Sequence, residues 1–200
     1  MLSAVVLAAG ESKRMGDKKE LLPIDGEPMV RTVVSKLLAS TKVDEVIVVL
    51  GHRADDVGAQ LAGVADERIE LVGNTRYAEG MGTSLAQAVR ACSWGTEAMI
   101  VTLADAPFFR TEDVDALIDA HAHGAVIAVP VYQGRRGHPV VIDCAYREEM
   151  EELSGDAGAR HILEREAESV VEVEMPDDGF LVDIDEPDDY EAVKDGIGAQ

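Results

Sequence analysis

Apolar, β-branched runs recur at 2–8, 45–50, 68–72, 98–103 and 124–131, each short enough to form one strand. Helical periods lie between them. Met29, Val30, Val33, Val34, Leu37 and Leu38 make a single stripe just after Pro28, whose fixed φ suits a first helical turn. Residues 54–61, 82–92 and 111–122 read likewise. Thr111 is the expected N-cap of the last of these, with Glu112 and Asp113 in the first turn, where carboxylates favour the helix dipole. Regular alternation of this kind predicts βαβ units, and hence a mostly parallel sheet with helices on both faces.

The last third departs from the alternation. Residues 126–132 and 139–143 flank the turn-rich "QGRRGH", which predicts two strands joined by a loop over the sheet instead of another crossover. Short helices near 147–153 and 157–166, strands near 170–173 and 180–184, and a terminal helix opening at Pro187 complete the expected elements. No repeat, linker or low-complexity segment interrupts them. At 200 residues with 46% hydrophobic content, one domain over 1–200 is expected.

Charge narrows the range of partners. The chain carries 18 basic and 39 acidic side chains, a formal charge of −21, which argues against general binding to nucleic acid or to an anionic membrane. The excess acid fits a protein of concentrated salt as well as it fits ordinary bacterial or archaeal acidity. Any polyanionic small molecule must be held at a local positive site, with a divalent cation to help. Cys92 and Cys144 are far apart and lack metal-ligand spacing, so neither a disulfide framework nor a zinc site is indicated, and a reducing cytoplasm is expected. The N-terminal apolar run has no basic leader, and no run approaches the length of a membrane span.

The one conspicuous cluster of cations is in "VVLAAGESKRMGDKKELLP", residues 5–23. In open α/β sheets ligands lie beyond the carboxyl ends of the strands, and this loop follows the first of them. Gly10 and Gly16 fit neither GxGxxG nor the phosphate-binding GxxxxGK[ST]. Gly10, Ser12, Lys13, Arg14, Gly16, Lys18 and Lys19 nonetheless provide a flexible backbone and mobile cations, sufficient for a triphosphate.

These residues carry a resemblance. "LAAGESKRMGDKKELLPIDGEP" resembles the LAAG-x-SxRMG-xx-K-x-LLP-xx-G-x-P signature of the MobA-like nucleotidyltransferases, and among them the molybdenum cofactor cytidylyltransferases. "VVLGHRADDV", "YAEGMGTSLAQAV", "LADAPF", "GRRGHPVVI", "SGDAGARHIL" and "LVDIDEPDDYEAV" follow in the family's order, so the likeness covers nearly the whole chain. It implies a Rossmann-like, three-layer α/β/α fold whose mostly parallel sheet has an antiparallel C-terminal portion. The activity it implies is transfer of CMP from CTP to a molybdopterin acceptor: an acceptor phosphate oxygen attacks the α-phosphorus and pyrophosphate leaves, with Mg2+ as cofactor. Such a reaction needs in-line placement and charge neutralisation more than covalent help from the protein.

By the same resemblance Leu7, Ala8, Ala9 and Gly10 line the base and ribose, while Arg14 and Lys19 contact the triphosphate; Lys13 and Lys18 fall at variable positions of the pattern. Gly80, Gly82, Thr83 and Ser84 open a helix whose amides could meet an anion or the base edge, and the LAAG opening leans toward cytosine. Asp105, followed after one residue by Pro107, matches the family's metal-binding aspartate, although Ala104 and Ala106 replace the usual glycine and glutamine; as a plain residue Asp105 could instead cap the next turn. Asp156 is the candidate second metal ligand, or an N-cap. Asp183 and Asp185 form a DxD pair at the end of an expected strand, where Asp185 could merely cap the final helix. Gly137, His138 and Pro139 look like the acceptor-side loop. His121 and His123 read as surface residues, and Trp94 and Met81 as core or pocket lining. Rival readings are an enzyme using GTP or a different phosphorylated acceptor, and a non-catalytic escort that carries the cofactor to a molybdoenzyme.

Overall fold

The computed structural model describes residues 1–11, 19–156 and 158–194. Its strands are β1 (Leu2–Ala8), β2 (Pro23–Ile24), β3 (Glu27–Pro28), β4 (Glu45–Leu50), β5 (Ile69–Gly73), β6 (Ala98–Leu103), β7 (Ile127–Tyr132), β8 (Arg135–Arg136), β9 (Val140–Asp143) and β10 (Val170–Glu174). The helices are α1 (Met29–Ala39), α2 (Ala54–Leu61), α3 (Met81–Ala91), α4 (Thr111–Ala122), α5 (Arg147–Glu151), α6 (Arg160–Arg165) and α7 (Pro187–Val193). The main sheet runs β10-β7-β9-β6-β1-β4-β5, with β8 beside β7, while β2 and β3 form a separate hairpin. β1 pairs in parallel with both β4 and β6, and among the described residues of the main sheet only β9 and the short β8 run antiparallel to their neighbours. The expected architecture is therefore the observed one.

Alternation of side chains along each strand divides the core in two. Ala4, Val6 and Ala8 of β1, Val46 and Val48 of β4, and Ile100 of β6 face the layer that contains Val33, Leu37, Val57 and Leu117 of α1, α2 and α4. Val5, Ile47, Val49, Met99 and Val101 face the opposite layer, with Leu85 and Val89 of α3, Met150 of α5 and Ile162 of α6. Full burial of each such aliphatic side chain contributes roughly 1.5–3 kcal/mol. After β5 the chain returns to place β6 on the other side of β1, so the loops following β1 and β6 diverge at a topological switch point, where a crevice must open.

Several local expectations need correction. Arg110 is the N-cap of α4, and its N–H donates to Asp113; Thr111 is the first helical residue and donates its hydroxyl to the Lys36 carbonyl instead. Pro28 ends β3 and stands at the N-cap of α1, one place before the first turn. Residues 180–184 form no strand: Gly179–Leu181 is a 3₁₀ turn, and its apolar spacing serves to seat Phe180 in the core. Trp94 is 96% exposed, its ring stacked on the Arg147 guanidinium, not in the core.

The amino-terminal edge of the sheet is closed by a polar knot. Glu45 of β4 accepts from the Ser3 hydroxyl, from the Ser93 N–H and hydroxyl, and from Thr96, tying β1, β4 and the turn after α3 together. Burial alone would raise the Glu45 carboxyl, but these four donors outweigh it and hold its pKa below the ordinary 4.5. A depressed carboxylate stabilises the fold above its unfolded value and loses that contribution as pH falls through the folded one. Glu45→Gln should therefore cost about 1–2 kcal/mol in urea denaturation at neutral pH, with the difference from wild type shrinking toward about pH 3. A pH-independent difference would show that the charge of Glu45 has no part in it.

Candidate active site

Lys19 opens a 3₁₀ turn, Lys19–Leu21, and carries its side chain inward until only 7% of it is exposed. Its Nζ lies 2.6 Å from Asp105 Oδ2, in the loop after β6, and 2.6 Å from Asp185 Oδ1, in the turn before α7. Three distant segments of chain thus meet on one ammonium. Desolvation by itself would lower the Lys19 pKa, yet the two carboxylates more than offset it and raise the group above its usual value. Asp183 feels the reverse. Desolvation and the charges of Asp105 and Asp185 push its carboxyl up to about 6, with Lys19 countering only in part.

Lys19, Asp105 and Asp185 line a cavity of about 430 Å³ at the carboxyl ends of β1 and β6. Leu7, Ala9 and Gly10, together with Tyr77, Gly80, Met81, Ser84 and Asp156, also line it. Ala8 does not reach the cavity, because its position in β1 directs it into the core on the α1 side. Gly82 does not reach it either: its N–H donates to the Gly155 carbonyl at 2.7 Å, and a Cβ there would meet the Ser154 carbonyl oxygen at 2.8 Å. Its glycine is needed for close packing of the 154–156 turn on the start of α3. Gly80, at φ +120°, has the same turn against it, and a Cβ would lie 2.7 Å from Asp156 Oδ1. Thr83 is likewise structural, since it donates to the carbonyls of Arg76 and Gly80 and accepts from Asn74 Nδ2.

A second cavity of about 930 Å³ adjoins the first, and Leu7, Met81, Leu103 and Asp156 line both. Gly137 and His138 line it and Pro139 does not. A Cβ on Gly137 would come within 2.5 Å of the Phe180 carbonyl oxygen, so this loop can cross the 179–181 turn only as glycine. Burial pushes the His138 pKa down against the pull of its bond to the Val101 backbone and of the Asp105 charge. The other histidines do not converge: His121 Nε2 lies 2.8 Å from Asp143 Oδ2, while His123 Nδ1 lies 2.6 Å from the Asp119 carbonyl.

Two aspartates stand differently from the capping alternatives. Asp156 precedes α6 by too much to cap it, as Ala159 holds that place. The N-cap of α7 is Glu186, bonded reciprocally with Asp189, which leaves the Asp185 carboxylate to Lys19. Arg14, together with Ser12, Lys13 and Lys18, lies outside the described residues.

The donor set suits a hard cation. Asp105 Oδ1 is buried and has no hydrogen-bond partner among the described residues, while burial, and after it the charges of Asp105 and Asp185, raises Asp183. Oxygen ligands with an uncompensated negative charge are what Mg2+ takes. Among the described residues no three acidic, His or Cys side chains are gathered closely enough to hold an ion unaided. Mg2+ does not need such a cage, because it retains waters and shares phosphate oxygens with a substrate.

Residues 4–170 match the model of the MobA-like NTP transferase domain. The chain belongs to the MobA-like NTP transferases. Its similarity to the purine catabolism protein PucB of Bacillus subtilis is 30% identity over 96% of each chain. It is 33% identical to nicotine blue oxidoreductase of Paenarthrobacter nicotinovorans over 92% of each, and 26% identical to molybdenum cofactor cytidylyltransferase of Escherichia coli over 97% of this chain and 96% of the relative. A solved nucleotidyl transferase of Methanothermobacter superposes with a TM-score of 0.81 at 26% identity, covering 97% of this chain and 96% of its own. Asp183 and Asp185, which the sequence leaves as a DxD pair or a helix cap, stand with Asp105 and Lys19 in one cluster. Asn74 and Tyr77 were missed outright; Asn74 Nδ2 bonds the Ser84 hydroxyl oxygen at 2.9 Å and so orients it. The only available signal for Asp185 was the DxD spacing, and a following proline made that spacing look like a helix start.

Proposed function

We propose that the protein transfers a nucleotidyl group, CMP from CTP, to the phosphate of a molybdopterin-type acceptor, releasing pyrophosphate. The observation that carries this reading is the Asp105–Lys19–Asp185 cluster, which lines a cavity of about 430 Å³ that shares Leu7, Met81, Leu103 and Asp156 with a second one. Leu7, Ala9 and Gly10 would bound the base and ribose, and Ser84, its oxygen engaged by Asn74, has a hydroxyl proton to give the nucleotide. Lys19 would leave its carboxylates to meet the charge that grows on the transferring phosphoryl group, with Arg14 assigned to the triphosphate by the family pattern. A divalent cation, Mg2+ by family resemblance, would be held by Asp105 with Asp156, Asp183 or Asp185 and would neutralise the reacting phosphates. Gly137, His138 and the 930 Å³ cavity would take the body of the acceptor, and a molybdoenzyme would receive the product.

The cytidine preference is supported by the LAAG opening and by the relative named as a cytidylyltransferase. The 33% identity to nicotine blue oxidoreductase favours a redox reading, against which the first loop lacks the dinucleotide fingerprint GxGxxG. Pyrophosphate release measured with each of the four NTPs, Mg2+ and molybdopterin is expected to be fastest with CTP. Turnover confined to GTP would remove the cytidylyl reading, and no turnover with any NTP would favour the escort.

A further inference from the structure

Lys36, on α1, stands behind the metal-binding loop with no carboxylate at ion-pairing distance among the described residues. Its Nζ donates to the Pro107 carbonyl at 2.5 Å and lies 5.8 Å from the centre of the Phe109 ring, while its own carbonyl accepts from the Thr111 hydroxyl at 3.0 Å. One residue of α1 therefore contacts the segment between β6 and α4 at 107 and 109, and the first residue of α4 at 111. The front of that segment, Ala104 and Asp105, lines the nucleotide cavity. Its back, Pro107, Phe108 and Arg110, faces a separate cavity of about 860 Å³, which Lys36, Thr32 and Ser35 also line. The loop that carries Asp105 is thus not packed solid from behind. Desolvation lowers the Lys36 pKa, with Asp113 and Asp25 opposing, as expected of an ammonium whose nearest polar contact is a neutral carbonyl.

We infer that Lys36 is a positioning residue: through the Pro107 carbonyl it props the loop from behind and keeps the Asp105 carboxylate in register with Lys19. An ammonium–carbonyl bond is stronger than a neutral one, and it is the polar tie that α1 makes to this loop at Pro107. Displacement of a reacting-site group by as little as 1 Å can cost on the order of 100-fold in rate, so a strut two residues away has leverage on turnover without touching substrate. The kinetic part rests on the function proposed above; the structural part does not.

The test uses the full chain carrying Lys36→Met or Lys36→Arg. Amide hydrogen exchange at 104–106, 108 and 109 is expected to quicken about tenfold in Lys36→Met, the size of one lost charge-assisted hydrogen bond, with exchange elsewhere unchanged. Lys36→Arg should restore protection, because the guanidinium is also a charged donor and the cavity has room for it. With substrates, kcat should fall about tenfold in Lys36→Met while KM for the nucleotide stays within about twofold, and Lys36→Arg should recover it. Unchanged exchange at the loop, exchange that rises evenly along the chain, or a KM defect with normal kcat would each overturn the assignment. If Lys36→Met does not fold, Lys36→Gln replaces it with the same expectations. Failure of the proposed reaction would be visible in the wild-type protein as absence of turnover, and the exchange pattern would then decide Lys36 alone.

Discussion

Asp105→Ala is expected to lower pyrophosphate release by about 10³-fold or more while leaving the fold intact. Losses of 10²–10³ attend removal of a single stabilising group at a developing charge, and here the cation would also lose its anchor. The fold should survive because Asp105 lies in the loop after β6, outside every helix and strand, and Lys19 retains Asp185. A second readout follows from the crowding of carboxylates. Asp183 sits at about 6 partly because Asp105 is charged beside it, so its titration, followed by carboxyl carbon NMR, should move down toward the ordinary range in the variant. In the wild type, a raised carboxyl means that the native state binds the extra proton, and this group's contribution to stability falls as pH rises from the unfolded value through about 6. That slope should flatten in Asp105→Ala. Full activity in the variant would show the metal assignment to be wrong, and an unmoved Asp183 would show that the two carboxylates do not share one field.

Lys19→Ala should slow the chemical step by about 10²-fold with a smaller effect on nucleotide affinity, and it should also weaken the protein without ligands. Taking one partner from a buried ion pair costs 3–5 kcal/mol when the other is left stranded. Asp185 is 44% exposed and Asp105 21%, so solvent screens much of this and about 2 kcal/mol is the expected loss. For a chain of 200 residues that corresponds to roughly 4–8 °C in Tm. The sign of the metal effect is then diagnostic. With the ammonium gone, Asp105 and Asp185 should offer a hydrated Mg2+ the two carboxylates that Lys19 otherwise engages, so that millimolar Mg2+ raises the Tm of Lys19→Ala more than that of the wild type. Equal Mg2+ responses would mean that Lys19 and a metal do not compete for the same carboxylates. A pure affinity defect in the kinetics would contradict its role at the transferring phosphoryl group.

The contrast between Asp105 and Asp185 explains how far a reading of the chain could go. Asp105 was legible because it follows directly on a buried strand: β6 must point its carboxyl end at the ligand side of a parallel sheet, and the first polar residue beyond Leu103 and Ala104 is carried there. Asp185 lies 166 residues from Lys19, in a turn whose path no periodicity describes. The same holds for Gly82, whose helical position suggested an amide free for an anion until the 154–156 turn was found bonded to it. Trp94 shows the limit of composition, since an aromatic side chain can be satisfied at the surface by a guanidinium face.

The alternation of strands and helices, the two-sided core and the end of the sheet at which a ligand must sit were determined by the sequence alone, because burial imposes periods of 2 and 3.6 that each segment displays by itself. Which carboxylates surround Lys19, which glycines admit a neighbouring turn, and what braces the Asp105 loop were decided only by the tertiary structure. Those contacts join loops whose meeting depends on where the crossovers leave the ends of distant strands, and no local pattern encodes that distance.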